Sequence, residues 1–542
     1  MKSPFKGKEN SAFIIVMGIV LLLQLAALFY YGERKAGFHE DELYTYYSTN
    51  KTAGLFVNDR AWMEGEELRN DFVVLPGERF RYGVVKQMQS WDVHPPLYYY
   101  IFHTVCSLFP GVFDKWLGIG VNIGAYVLCY VLLAYCACTA AYREGEQTGY
   151  SEGRVLAFFT CLFWGFSGAV ISGVLFIRMY QWLTLFVLLC MALHLRALKK
   201  NDFGAVHFLL PLGVTVFLGF LTQYYYIIFH FFLGAGICLY FLRKKRIKEL
   251  FSYGITCCLG LAGAILYYPA SLSHIFRGYR GTEAVSEFSD VSNTWERLRF
   301  FYGLFDDYVM NGTLSAWFLL LCLLAVTAGY LRKRGKNQRW GVNTSVCLIF
   351  FACLGYFFTV SKTALLLGET SNRYQLPIYG LLVFLLIYGV WTLAGKLGPG
   401  TGAVRGRWIL AGVLTLTLAL TDAFGLKGGR VFFLYEEEKE IMEFVRAHAG
   451  ETVVVFYNEA SSDNIWRLSD ELMEYPRVYL AAQGNEAPLS DKEVLESECI
   501  LAYVADYENK EACLERLVEE NEHLGSWQEV AEKGLWTLYR LS

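Results

Sequence analysis

Apolar residues run almost unbroken from Ser11 to Tyr31, behind a short basic start carrying Lys2, Lys6 and Lys8. A bilayer core takes about 20 apolar residues of helix. No small-x-small cleavage pattern follows, so the run predicts a retained membrane helix rather than a removed signal peptide. A polar loop occupies residues 32–93. Further apolar runs lie near 94–109, 115–141, 154–176, 179–197, 206–222, 224–242, 250–270, 313–331, 342–361, 374–395 and 407–425. After residue 425 the pattern changes. Glu436–Ala449 reads as an amphipathic helix and Thr452–Tyr457 as a β-branched, aromatic strand. Ser462–Met473, Asp491–Ser497 and Lys510–Glu522 read as helices, Arg477–Ala481 and Cys499–Val504 as strands, with two short strands near Gln528–Val530 and Leu535–Arg540. That alternation predicts a small α/β domain.

Lysine and arginine in short loops mark the cytoplasmic side of a membrane protein. The basic loops are Arg196–Lys200, Arg243–Lys248, Arg332–Arg339 and Lys396–Arg407. They put the 32–93 loop, Ser271–Gly312, Lys362–Arg373 and the tail on the outer side. Residues 93 and 200 then lie on opposite sides, which needs an odd number of crossings, yet four apolar runs separate them. One run must fail to cross: His94–Pro110, short and bounded by prolines, or the run at 154–176. The expectation is a polytopic α-helical membrane protein with about eleven crossings over residues 1–425, and a small extracytoplasmic α/β domain over 426–542. Its setting would be a plasma membrane.

Composition agrees. The 542 residues are 55% hydrophobic and only 18% charged, with a mean hydropathy of +0.32, against about 25% charged in soluble domains. This does not suit a disordered, fibrous or nucleic-acid-binding protein. The net charge of −3 hides a split: residues 426–542 hold 25 acidic and 11 basic side chains, whereas 1–425 hold 26 and 37. Twelve of the fourteen cysteines lie in or beside apolar runs, which is neither a disulfide framework nor a zinc pattern.

Two stretches of the first loop could carry chemistry. It opens Gly37-Phe38-His39-Glu40-Asp41-Glu42. Three acids beside a membrane exit read either as a cap on a helix over Leu43–Thr49 or as a catalytic base or metal ligand. It ends Trp91-Asp92-Val93-His94-Pro95-Pro96-Leu97. Tandem proline stiffens the start of the next helix and holds Asp92 and His94 at the interface. The nine histidines form no cluster at metal spacing. A divalent ion, magnesium or manganese, at Asp41 and Glu42 stays open.

These motifs resemble the C-type glycosyltransferases (GT-C fold), in particular the protein O-mannosyltransferases and the bacterial lipid A aminoarabinose transferases. Asp41-Glu42 matches the family's Asp-Glu pair, and Asp92-x-His94-Pro95-Pro96-Leu97 its second motif. Arg178-Met179-Tyr180 resembles the arginine-x-tyrosine after the fourth run. Gln223-Tyr224-Tyr225-Tyr226 resembles histidine-tyrosine-tyrosine, with Gln223 in place of the histidine. Arg373-Tyr374 before Pro377 resembles a late outer-loop motif. The resemblance covers residues 11–425 and leaves the tail unassigned.

It implies a hexosyl or pentosyl donor on a polyprenyl phosphate and a hydroxyl acceptor on a glycolipid, wall polymer or protein. A phosphate leaving group needs positive charge more than a strong acid, and arginine's planar fork suits it. The implied phosphate ligands are Arg178 and Arg373, with His94 bonding the phosphate or Asp92. Asp41 is the implied base, Glu42 its aid, and Asp92, Tyr180 and Tyr224 support them. Lys362, Arg81 and Lys86 read instead as headgroup anchors. His274-x-x-Arg277-x-x-Arg280 reads as a surface turn. Gly398–Gly402 reads as a linker, since no strand precedes it and no Lys-Ser/Thr follows. The alternatives are a multi-spanning lipid or sugar transporter, which should show inverted repeats, a receptor using its tail, and a ligase taking a lipid pyrophosphate.

Overall fold

The computed structural model describes residues 8–51, 57–141, 149–333, 343–396, 427–507 and 510–542, with Gly412, Thr421 and Gly425. Apart from those three residues, the apolar run at 407–425 lies outside them, and so does the glycine-rich stretch at 398–402. The chain forms two compact units: Met1–Gly32, Gln89–Tyr98 and Ile119–Phe432 make the first, and Glu33–Met88, Tyr99–Gly118 and Phe433–Ser542 the second.

Among the described residues, nine helices are long and apolar enough to cross a membrane. They are Ser11–Arg34, Lys115–Ala141, Tyr180–Lys200, Ala205–Thr222, Tyr226–Arg243, Ile247–Tyr267, Leu314–Leu331, Thr344–Thr363 and Gly368–Ala394. Glu152–Phe166 and Gly168–Leu175 pass the same test only as a pair bent by 60°, the geometry of a broken span or of a re-entrant loop, which makes up to ten spans among the described residues. Asn122, itself buried, donates from Nδ2 to the Val174 and Phe176 carbonyls at 3.2 and 2.7 Å. Those carbonyls lie at the end of the second segment, where a helix leaves its last C=O groups without intrahelical donors; that of Phe176 also accepts from the Arg178 amide at 2.7 Å. The helix Leu97–Leu108 has 12 residues, about 18 Å of rise, too short for the hydrocarbon core. Between residues 93 and 200 there remain the broken pair and two long helices. Counting the bent pair as one span gives the odd number the basic loops call for, and among these runs Leu97–Leu108 is the one too short to cross by itself.

The second unit is built on a six-stranded sheet in the order β1-β3-β2-β4-β6-β5. The strands are β1 (Ala61–Glu64), β2 (Thr452–Tyr457), β3 (Arg477–Ala482), β4 (Ile500–Ala505), β5 (Trp527–Lys533) and β6 (Trp536–Leu541). β3, β2 and β4 are parallel. Every residue of β4 is buried, and so is all of β2 but its first, as expected for central parallel strands covered on both faces. Val454, Phe456, Ala502 and Val504 pack with Cys513, Leu514 and Leu517 of the helix Lys510–Glu520. β5 and β6 form a hairpin whose loop has Gly534 at φ +62, the sign that tight hairpin turns favour.

The sheet is not confined to the tail. β1 comes from the first loop and pairs antiparallel with β3, Ala61 opposite Leu480 and Glu64 opposite Arg477. Asp59 extends the join, accepting from the Ala482 amide at 2.7 Å. The same unit holds the helix Glu40–Asn50, which is buried from Glu42 to Asn50 except at Tyr44. Trp466 stacks on Tyr44 with ring centroids 4.8 Å apart and meets Tyr47 edge-on at 4.2 Å.

Candidate active site

In the first unit, Asp92 and His94 sit in the turn before the helix Leu97–Leu108. His94 Nδ1 lies 2.7 Å from Asp92 Oδ2, and its Nε2 lies 3.2 Å from Arg178 Nη2. A guanidinium can only donate, so Nε2 accepts and the ring proton is on Nδ1, aimed at Asp92. Burial alone would raise the Asp92 carboxyl. The hydrogen-bonded His94 ring, and Arg178 behind it, outweigh burial and bring it down to about 2.

Arg178 occupies the link between Gly168–Leu175 and Tyr180–Lys200. Its side chain is buried, and it stands at the N-terminus of a 21-residue helix, where the backbone also carries partial positive charge. Arg373 is buried too. Its guanidinium lies over the rings of Tyr374, Phe176 and Tyr180, 5.1, 5.2 and 5.8 Å from their centroids. Tyr180 in turn meets Tyr374 edge-on at 5.7 Å. Pro377 lies inside the helix Asn372–Ala394. Lacking an N–H, it leaves the carbonyl four residues earlier, that of Arg373, without its helical donor.

Three further side chains hold the turn at 90–94. Tyr268 donates to the His94 carbonyl at 3.3 Å. His274 Nε2 lies 3.3 Å from the Ser90 carbonyl, and its Nδ1 lies 2.9 Å from the Tyr224 hydroxyl. The carbonyl can only accept, so His274 carries its proton on Nε2 and Tyr224 donates to Nδ1. His274 is thus a buried strut, not a surface turn, while Arg277 and Arg280 of the same motif are exposed. Sequence reasoning missed it because nothing in the spacing of the motif marks which residue turns inward. Lys362 also departs from expectation. It is buried and bonds the Asp290 carbonyl at 2.5 Å and the Asn293 side chain, so it fastens one protein segment to another rather than reaching to headgroups. In the second unit, Arg81 is exposed and Lys86 half-buried.

Also in the second unit, the acids at 40–42 have three different environments. Glu40 is exposed and Asp41 half-buried, whereas the Glu42 side chain has no solvent exposure. Glu42 Oε2 accepts from Lys35 Nζ at 2.9 Å and from the His39 amide at 2.7 Å. His39 Nδ1 accepts from the Asp41 amide at 3.0 Å. The two bonds form a reciprocal cap on the helix, the device that satisfies orphan donors at a helix start. Because Nδ1 accepts there, the 3.8 Å approach of His39 to Asp41 Oδ2 is not an ion pair. Burial pushes the Lys35 ammonium below its ordinary value, against the pull of Glu42. Among the described residues, no three His, Cys, Asp or Glu side chains gather as a metal ion would need. With Glu42 engaged by Lys35, the donor set beside Asp41 does not fit a divalent ion.

No family model matches the chain, and no curated protein matches it. Among solved structures it is similar to ArnT from Cupriavidus metallidurans, crystallised bound to undecaprenyl phosphate. The TM-score is 0.51 at 12% sequence identity, over 98% of each chain. The chain therefore has an ArnT-like, GT-C-type fold: an integral, multi-pass membrane protein carrying a small six-stranded sheet.

Proposed function

We propose that this chain is a membrane glycosyltransferase that moves a sugar from a polyprenyl-phosphate donor to a hydroxyl on a glycolipid, wall polymer or protein. One observation carries the reading. Arg178, locked by His94 and Asp92, stands beside a long helix N-terminus in a fold shared with a protein solved holding a polyprenyl phosphate.

In this reading Arg178 and Arg373 neutralise the donor phosphate, and the helix N-terminus at Tyr180 adds its backbone amides. His94 and Asp92 orient Arg178. Asp41 takes the proton of the acceptor hydroxyl as its oxygen attacks the anomeric carbon. The bond from that carbon to the phosphate oxygen breaks, and the lipid phosphate leaves with the electron pair. Glu42 acts on Asp41 through the helix cap. Tyr180 supports Arg373, and Tyr224 supports the 90–94 turn through His274. A single attacking displacement inverts the anomeric carbon. Residues 1–425 form the transferase region and 426–542 an extracytoplasmic domain, with the active side facing out of a plasma membrane.

The direct test is purified protein with radiolabelled polyprenyl-phosphate sugars and membrane extracts as acceptors. Transfer of label to a non-donor product is the expected result. No transfer, with vectorial movement of intact donor in proteoliposomes, would establish the transporter alternative.

Orientation has its own test. Asn58 and Glu486 are exposed. Asn58→Cys and Glu486→Cys should both react with an impermeant thiol reagent in intact cells, above the background of the native cysteines. Labelling of neither until the cells are opened would place the loop and tail inside.

A further inference from the structure

We propose that Arg467 is a positioning residue for Asp41, and that one task of the sheet-bearing tail is to hold the turn that leads into the helix bearing Asp41. This rests on Asp41 being the base of the proposed transfer.

The turn Lys35–His39 is fastened to the tail by main-chain and side-chain bonds. The Ala36 amide donates to the Leu434 carbonyl at 2.7 Å. Lys35 Nζ donates to the Phe433 carbonyl at 2.6 Å while also holding Glu42. Gly37 lies against Glu438, where a Cβ would sit 2.0 Å from a carboxylate oxygen, so any larger residue there would have to displace the Glu438 carboxylate.

Arg467 ties the end of that turn to the buried charges of the tail. Its Nη1 donates to the Phe38 carbonyl at 2.9 Å, three residues before the acid. Its Nη2 pairs with Glu438. Glu438 also faces Lys533 at 3.2 Å, and Lys533 contacts Asp470 and Glu471 at 2.9 and 2.7 Å. Lys533, Glu438, Asp470 and Glu471 are all buried. A charge network removed from water is rigid, because each member that moved would leave a partner buried and unpaired. Arg467 uses one arm of its fork on that rigid network and the other on the Phe38 carbonyl. The cap at His39 then sets the direction of Asp41.

A positioning role and a merely structural one differ in measurable ways. Arg467→Lys keeps the charge for Glu438 but gives up the fork. Four proteins are compared as full chains in detergent: wild type, Arg467→Lys, Asp41→Asn and the double variant. Arg467→Lys should lower turnover on the order of ten- to a hundred-fold, since a 1 Å misplacement can cost about that much, with donor KM little changed. In the Asp41→Asn background the same substitution should cost almost nothing more. Hydrogen exchange provides the second readout: peptides covering 36–44 should exchange faster in Arg467→Lys while β2 and β4 stay protected. Equal losses in both backgrounds, or loss of protection throughout β2 and β4, would overturn the proposal. If Asp41→Asn alone turns over like wild type, the reading of Asp41 as base fails, and unchanged exchange at 36–44 would then refute the positioning on its own.

Discussion

Arg178→Lys is expected to lose most sugar transfer while the protein still inserts and folds. Arg178 is 4% exposed, and one of its guanidinium nitrogens is committed to His94 at 3.2 Å. A guanidinium can hold that bond and still present other N–H groups in the same plane to a phosphate. A lysine carries the same charge as one compact ammonium and cannot serve both geometries from one site. Removing one preorganised donor from a developing oxyanion typically costs about 10²–10³ in turnover. A loss of that size in kcat is the expected outcome for Arg178→Lys, and a larger one for Arg178→Ala. Thermal unfolding of the detergent-solubilised variants separates this from collapse of the link between helices. Wild-type turnover in Arg178→Ala would leave the residue as a structural partner of His94 and remove it from the phosphate site.

Periodicity made the long apolar helices and the central strands of the tail visible in advance. β2 begins and ends where its β-branched run does, and β3, β4 and β6 fall within a residue or so of their apolar stretches. β1 was not visible. Ala61-Trp62-Met63-Glu64 is four residues with no alternation in its burial, and it is a strand only because β3 offers an edge more than four hundred residues away. The break after Phe166 was hidden for a similar reason. An apolar run reads the same straight or bent, and Asn122, which ties down the end of the second segment, lies on another helix. At the candidate site, Asp92, His94, Arg178 and Arg373 could be singled out by motif, but which of them touch could not. The Lys35–Glu42 pair was out of reach altogether. A spacing of seven across a turn carries no fixed geometry, unlike i to i+4 on a helix. Lys362 shows the reverse failing: a lysine at a helix end usually snorkels, and only tertiary packing against the 290–293 segment takes it out of solvent.

The largest effect belongs to Asp41. Of the three adjacent acids, Glu42 is consumed by Lys35 and the His39 amide and Glu40 is exposed. Asp41, with 30% of its side chain exposed, is the one whose carboxylate is both fixed at its backbone and open to solvent. Asp41→Asn keeps the size of the side chain and one acceptor oxygen but removes its basicity. If the carboxylate takes the acceptor's proton, turnover should fall by about 10²–10⁴, with the loss in kcat rather than in donor KM. The helix itself should not suffer. The cap at its start is made by the His39 side chain, which accepts from the Asp41 amide, and by Glu42. Neither bond uses the Asp41 side chain, so a role in capping predicts activity and melting temperature both unchanged. Glu42→Gln provides the contrast. It removes the charge that faces a fully buried Lys35, and breaking a buried pair by neutralising one partner costs about 3–5 kcal/mol, so this variant should melt early. Asp41→Asn should instead be stable and inactive. An Asp41→Asn enzyme that turns over like wild type at saturating donor would take Asp41 out of the chemistry and leave the exposed Glu40 as the next carboxylate to test.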